Sequence, residues 1–189
     1  MKPYWIRRAI LSFVAPILDF IGHLTERKHR INGRHYYELK NIVESGGVFL
    51  TRSRWRFSNL LIPGRWTHAA IYVGENHVAE AVPEGVRKMD LITFLLTKDY
   101  VSYYVPSFAD QEARYKAADF AKDQLGLPYD YYFEGANKAF YCIELVLDAY
   151  EKACKTVFPG AEMFGVKTYV PEIVSTDESN WKLVWSSEK

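Results

Sequence analysis

The chain is 189 residues long and 22.0 kDa, with 49% hydrophobic residues and a formal net charge of +1. That is enough apolar material for one well-buried core, and the length favours one domain with room for an N-terminal appendage. A near-neutral balance excludes a general nucleic-acid binder, which needs a concentrated basic surface.

Ile6, Ile10, Phe13, Ile17, Ile21 and Leu24 recur at helical spacing, with Pro16 as a kink. The uncharged run from Ala9 to Leu18 is too short to span a bilayer, which takes roughly 20 apolar residues. Arg7 and Arg8 ahead of it hint at a signal peptide, but Asp19 interrupts the run and no small-residue cleavage site follows. Up to His35 there are seven basic side chains and two acidic ones. Residues 1–35 therefore read as a basic amphipathic helical extension. Residues 1–30 could make peripheral contact with an anionic membrane, or pack on the domain or on a second copy; the two readings stand level. With neither a clear cleavable signal nor a spanning helix, a cytoplasmic or peripheral-membrane location is expected.

Residues 36–189 read as the domain proper. A short helix is expected from Tyr36 to Ser45, ended by Gly46-Gly47, then a strand over Val48–Arg52. Pro63-Gly64 marks a turn in an irregular stretch. T-H-A-A-I-Y-V and H-V-A-E-A-V, flanking Gly74–Asn76, form a hairpin that Pro83–Gly85 ends. A helix over Leu91–Leu96 follows, then a strand over Tyr100–Val105 with Val101, Tyr103 and Val105 on one face. Ser107 or Asp110 can cap a helix running to Leu125, with Ala113, Ala117, Phe120 and Ala121 buried. Gly126 and Pro128 close it. From Cys142, Leu145, Val146, Ala149 and Ala153 mark another helix. Thr156–Pro171 reads as loop and Trp181–Trp185 as a last strand. An antiparallel sheet with helices packed on it makes the class α+β.

Two features carry chemistry. Cys142 stands in the first turn of its helix, where the macrodipole favours a thiolate and lowers the pKa below the free value of about 8.5; a small buried core cysteine is the plainer alternative. Cys154 lies twelve residues on, roughly 18 Å along a helix, so both are expected as free thiols. The histidines are scattered and no Cys/His spacing suggests zinc, so no metal site is expected. The second feature is the hairpin. With a three-residue loop Val73 opposes His77, Ala70 opposes Glu80, and 68, 70 and 72 share a face with 78, 80 and 82. Glu80 is then the diagonal neighbour of His68 at about 7–8 Å between backbone positions, close enough to fix the imidazole tautomer. A loop of two or four residues would put Glu80 on the other face. His77 falls on the face away from His68 and reads as a solvent-side residue.

W-T-H-A-A-I-Y-V-G, V-A-E-A-V, L-P-Y-D-Y and F-Y-C-I-E-L-V, with V-F-L-T-R-S upstream, resemble the permuted papain-like branch of the NlpC/P60 superfamily, the YiiX/YaeF-like amidases. The resemblance runs from about Gly46 to Tyr150, and histidine before cysteine is the order of that branch. It implies a circularly permuted papain-like fold, Cys142 as nucleophile, His68 as general base and Glu80 as the residue orienting it, with no cofactor. It also places Tyr129 beside the active site, to hold the substrate carbonyl with the N–H of Cys142 or simply as pocket wall. Glu144 matches the family's acidic residue after the cysteine and is given a structural role. Gly46-Gly47 replaces the usual Gly-Asp, and Ile143 the usual serine. The expected activity is a cysteine hydrolase of amide bonds acting on a peptide, a cell-wall peptide or a small acylated amine. A lipid-directed acyltransferase or thioesterase with the same triad, and an idle binding module, are the alternatives.

Overall fold

Alternation along the strands divides the apolar side chains into two sets, and the computed structural model, which describes residues 30–53, 62–133, 138–163 and 166–188, shows each set meeting its own helices. One six-stranded sheet has the order β4-β3-β2-β1-β5-β8 and is antiparallel throughout. Its strands are β1 (Val48–Arg52), β2 (His68–Gly74), β3 (His77–Val82), β4 (Gly85–Asp90), β5 (Tyr100–Pro106) and β8 (Trp181–Ser186). A two-stranded ribbon pairs β6 (Ala161–Met163) with β7 (Val166–Thr168).

On one face Phe49, Ala70, Tyr72, Val78, Val101 and Tyr103 pack with Leu39 of α1 (Gly33–Leu39) and with Leu91, Phe94 and Leu95 of α2 (Leu91–Leu96). On the other, Leu50, Ala69, Ile71, Ala79 and Ala81 pack against α3 (Gln111–Asp123) and α4 (Cys142–Cys154). Ala117, Ala118 and Ala121 let α3 lie close. Asp110, not Ser107, caps it through the N–H of Ala113 at 2.8 Å. A short α5 (Glu172–Thr176) precedes β8.

Several expectations need correction. α1 runs from Gly33 to Leu39 rather than from Tyr36 to Ser45, because Asn32 caps it by accepting the Arg34 N–H at 3.0 Å. β4 was not expected; Pro83-Glu84 is a two-residue turn rather than an end, with Val82 paired to Gly85. The stretch expected as loop, 156–171, contains the β6–β7 ribbon. Of the basic helical extension assigned to residues 1–35, residues 1–29 lie outside the described residues.

The β2–β3 turn departs from expectation in an instructive way. Glu75 and Asn76 both have positive φ, 51° and 64°, which makes a two-residue turn of the kind that suits the twist of paired strands. His77 therefore pairs with Gly74, not Val73. A bulge between Tyr72 and Gly74 takes up the extra residue, so Tyr72 still opposes Val78 and Ile71 still opposes Ala79. The parity that a two-residue loop would have reversed is restored, and Glu80 stays on the face of His68.

Candidate active site

His68 opens β2 beside Thr51 of β1, and Glu80 lies at the middle of β3, opposite Arg87 of β4. The two side chains meet: His68 Nε2 is 2.7 Å from Glu80 Oε2. Glu80 is 0% exposed and surrounded by cations. Arg87 gives Oε1 two bonds, from Nε at 2.9 Å and from a terminal nitrogen at 2.8 Å. Lys98 Nζ stands 3.8 Å from Oε2 and 4.7 Å from the centre of the Phe94 ring. Burial alone would raise the pKa of Glu80, but the His68 hydrogen bond and the charges of Lys98, His68 and Arg87 hold it well below the ordinary carboxylate range. An ionised carboxylate only accepts, so Nε2 donates to it, and in the neutral ring the lone pair is then on Nδ1.

Cys142 is the first residue of α4, which packs on the opposite face of the sheet from Glu80. The faces join at the end of β2. Registered β2–β3 pairs reach no further toward His68 than Ile71–Ala79, and the main-chain amide of Ala69, the residue after His68, lies near enough to the sulfur of Cys142 to lower its pKa. The main-chain amides at the start of α4 also favour its thiolate, while the charge of Glu80 opposes it. His68, Glu80 and Cys142 are thus gathered at one end of the sheet.

The expectation of a lowered thiol pKa is overturned. Burial pushes Cys142, 4% exposed, up to about 11, and the main-chain donors offset only part of that rise. At neutral pH this favours the thiol over the thiolate. Cys154 is also free, as expected.

The loop before α4 is built in two short bonded steps. Phe140 N–H donates to Pro128 at 3.0 Å and Asp130 N–H to Phe140 at 3.1 Å, making a bridge beside Tyr129. Asp130 Oδ1 then accepts from the N–H groups of Tyr132 and Phe133. Tyr129 is half-buried on this loop, its ring 4.9 Å from that of Tyr131, whose hydroxyl donates to Pro83 in the β3–β4 turn at 3.1 Å. Glu144 Oε2 accepts the N–H of Tyr141 at 3.2 Å and so caps α4, the structural role expected of it. Burial, with Asp148 and Asp130 nearby, raises its pKa to about 8 against the help of that bond.

His77 stands at the far end of the hairpin, its Nδ1 2.6 Å from the carbonyl of Glu75. Gly46-Gly47 lies at the Ile71–Tyr72 end of β1 and not at the His68 end, and Ile143 is buried in the core. Sequence reasoning missed Arg87 and Lys98. Arg87 was hidden with β4; Pro-Glu-Gly after an apolar strand was the turn signal that could have revealed it. Lys98 follows an apolar helix and gave no signal. Among the described residues no group of three or more His, Cys, Asp or Glu side chains could hold a metal ion, and no helix is long and apolar enough to cross a membrane.

The family model of the permuted papain-like amidase enzymes, YaeF/YiiX, C92 family, matches residues 42–187. No curated protein matches the chain. Among solved structures it is similar to one described as the metalloprotein YiiX from Escherichia coli O157:H7. The identity is 21%, with a TM-score of 0.65, over 76% of this chain and 97% of the other.

Proposed function

Since the chain belongs to the permuted papain-like amidase family, an enzyme family that cleaves amide bonds, we propose that its reaction runs through an acyl-enzyme on Cys142. The observation that carries this is the 2.7 Å bond between His68 Nε2 and a buried, ionised Glu80, with the helix-start thiol of Cys142 close to the main-chain amide of Ala69, the residue after His68. His68 Nδ1 takes the proton of the Cys142 thiol as sulfur attacks the substrate carbonyl. The C–S bond forms, the C–N bond breaks, and the proton passes from His68 to the leaving amine. Water then attacks the thioester with His68 again as base, releasing the acid and restoring the thiol. Glu80 keeps the imidazole in the Nε2–H tautomer and stabilises the imidazolium. The main-chain N–H of Cys142 and the Tyr129 hydroxyl are the donors assigned to the carbonyl oxygen. The substrate is a peptide, a cell-wall peptide or a small acylated amine.

The test is amide hydrolysis across a panel of peptide and acyl p-nitroanilides, with mass spectrometry of the quenched enzyme. The acyl group should appear on the peptide containing Cys142. Turnover surviving in Cys142→Ala, or an adduct elsewhere, would contradict the mechanism.

A further inference from the structure

The two oxygens of Glu80 are given to different partners. Oε1 takes both arms of Arg87, and Oε2 faces His68 with Lys98 behind it. The terminal torsion of a glutamate is soft, so one donor leaves the carboxylate plane free to turn. Two guanidinium donors converging on Oε1 hold it, because their geometry is rigid where an ammonium is a point charge. The oxygen left to face β2 is then Oε2, already aimed at His68 Nε2. We propose that Arg87 is a positioning residue: through Glu80 it sets the orientation of His68 and the pH at which Nδ1 becomes a base. The inference rests on reading His68 as the base for Cys142.

The charged groups around Glu80 fix the sign. His68 faces it from β2, Arg87 from β4 and Lys98 from the turn after α2; the Cys142 thiol lies within its field from α4. Glu84 Oε2 stands 4.0 Å from the second terminal nitrogen of Arg87. Without the Arg87 cation, the negative charge on Glu80 favours the imidazolium form of His68, so His68 becomes a base only at higher pH. Arg87 is 42% exposed, so water screens its charge and the shift is roughly half a pH unit.

The experiment measures iodoacetamide alkylation of Cys142, resolved from Cys154 by peptide mass spectrometry, between about pH 5 and 9. It compares wild type, His68→Ala, Arg87→Lys and Arg87→Gln, each with its melting temperature. Arg87→Lys keeps the charge and loses the fork: the rise with pH should stay in place while the plateau falls about 3- to 10-fold. Arg87→Gln should lower the plateau further and move the rise up by about half a unit. A merely structural role would lower the melting temperatures and leave the profile unmoved. Profiles equal to wild type in both Arg87 variants, with His68→Ala impaired, overturn the positioning role and leave the amidase mechanism standing. If His68→Ala also matches wild type, both fall. Should Arg87→Gln not fold, an unchanged plateau in Arg87→Lys overturns the inference alone.

Discussion

Gly47 has no room for a side chain: a Cβ there would lie 1.8 Å from the Tyr103 hydroxyl, which is bonded to the N–H of Glu44 at 2.8 Å. Gly47→Ala should cost about 1–3 kcal/mol in chemical denaturation, as overpacking does. The clash lies at the opposite end of β1 from Thr51 and His68, so the variant should keep its Cys142 chemistry wherever it is folded. Glu80 is the opposite case, a residue fixed by charge rather than by space. Glu80→Ala removes the carboxylate that half-exposed Arg87 and buried Lys98 share and should cost about 1–3 kcal/mol. The folded pKa of Glu80 is depressed, so its stabilisation is complete above the ordinary value of 4.5 and is lost as pH falls through the lower folded value. Acid denaturation of the wild type should reflect that loss, and Glu80→Ala should lack that component.

At the scale of elements, α4 carries a pH dependence of the opposite sign. Glu144 titrates at the ordinary carboxylate value of about 4.5 when unfolded and at about 8 when folded. The folded state therefore holds a proton the unfolded state has lost, and this contribution is complete below 4.5 and gone as pH passes about 8. Asp148, raised to about 6, adds the same sign at lower pH. Glu144→Gln keeps an acceptor for the Tyr141 N–H and should flatten the decline in stability between about pH 6 and 8, read from urea midpoints; an unchanged slope would remove Glu144 as its source. The same elements show how far sequence reasoning reaches. Two apolar, β-rich runs, H-A-A-I-Y-V and H-V-A-E-A-V, around a short Gly-containing loop made the His68–Glu80 face legible, and the apolar stripe from Cys142 gave α4. The bulge was not legible, since Gly74 can serve equally as a loop residue or as the left-handed residue of a bulge. Nor was β4, whose G-V-R-K-M-D has the composition of a loop; its arginine is there because a buried carboxylate faces it, and that depends on tertiary packing.

In the whole molecule, the sheet separates two cores, and the candidate site sits where β2 and β3 stop pairing, so that His68–Glu80 on one face and Cys142 on the other can meet. Histidine before cysteine was visible in the chain, and with it the permuted order. Burial of the thiol was not, because a helix start reads the same whether open or covered. Burial raises its pKa, so the mechanism proposed above turns on one step: His68 taking the proton of Cys142. The direct measurement is the rate of Cys142 alkylation at neutral pH in wild type and in His68→Ala, with Cys154 in the same molecule as internal reference. The mechanism predicts that His68→Ala slows Cys142 by about 100-fold or more while Cys154 is unchanged. Equal rates at Cys142 in the two proteins would contradict it.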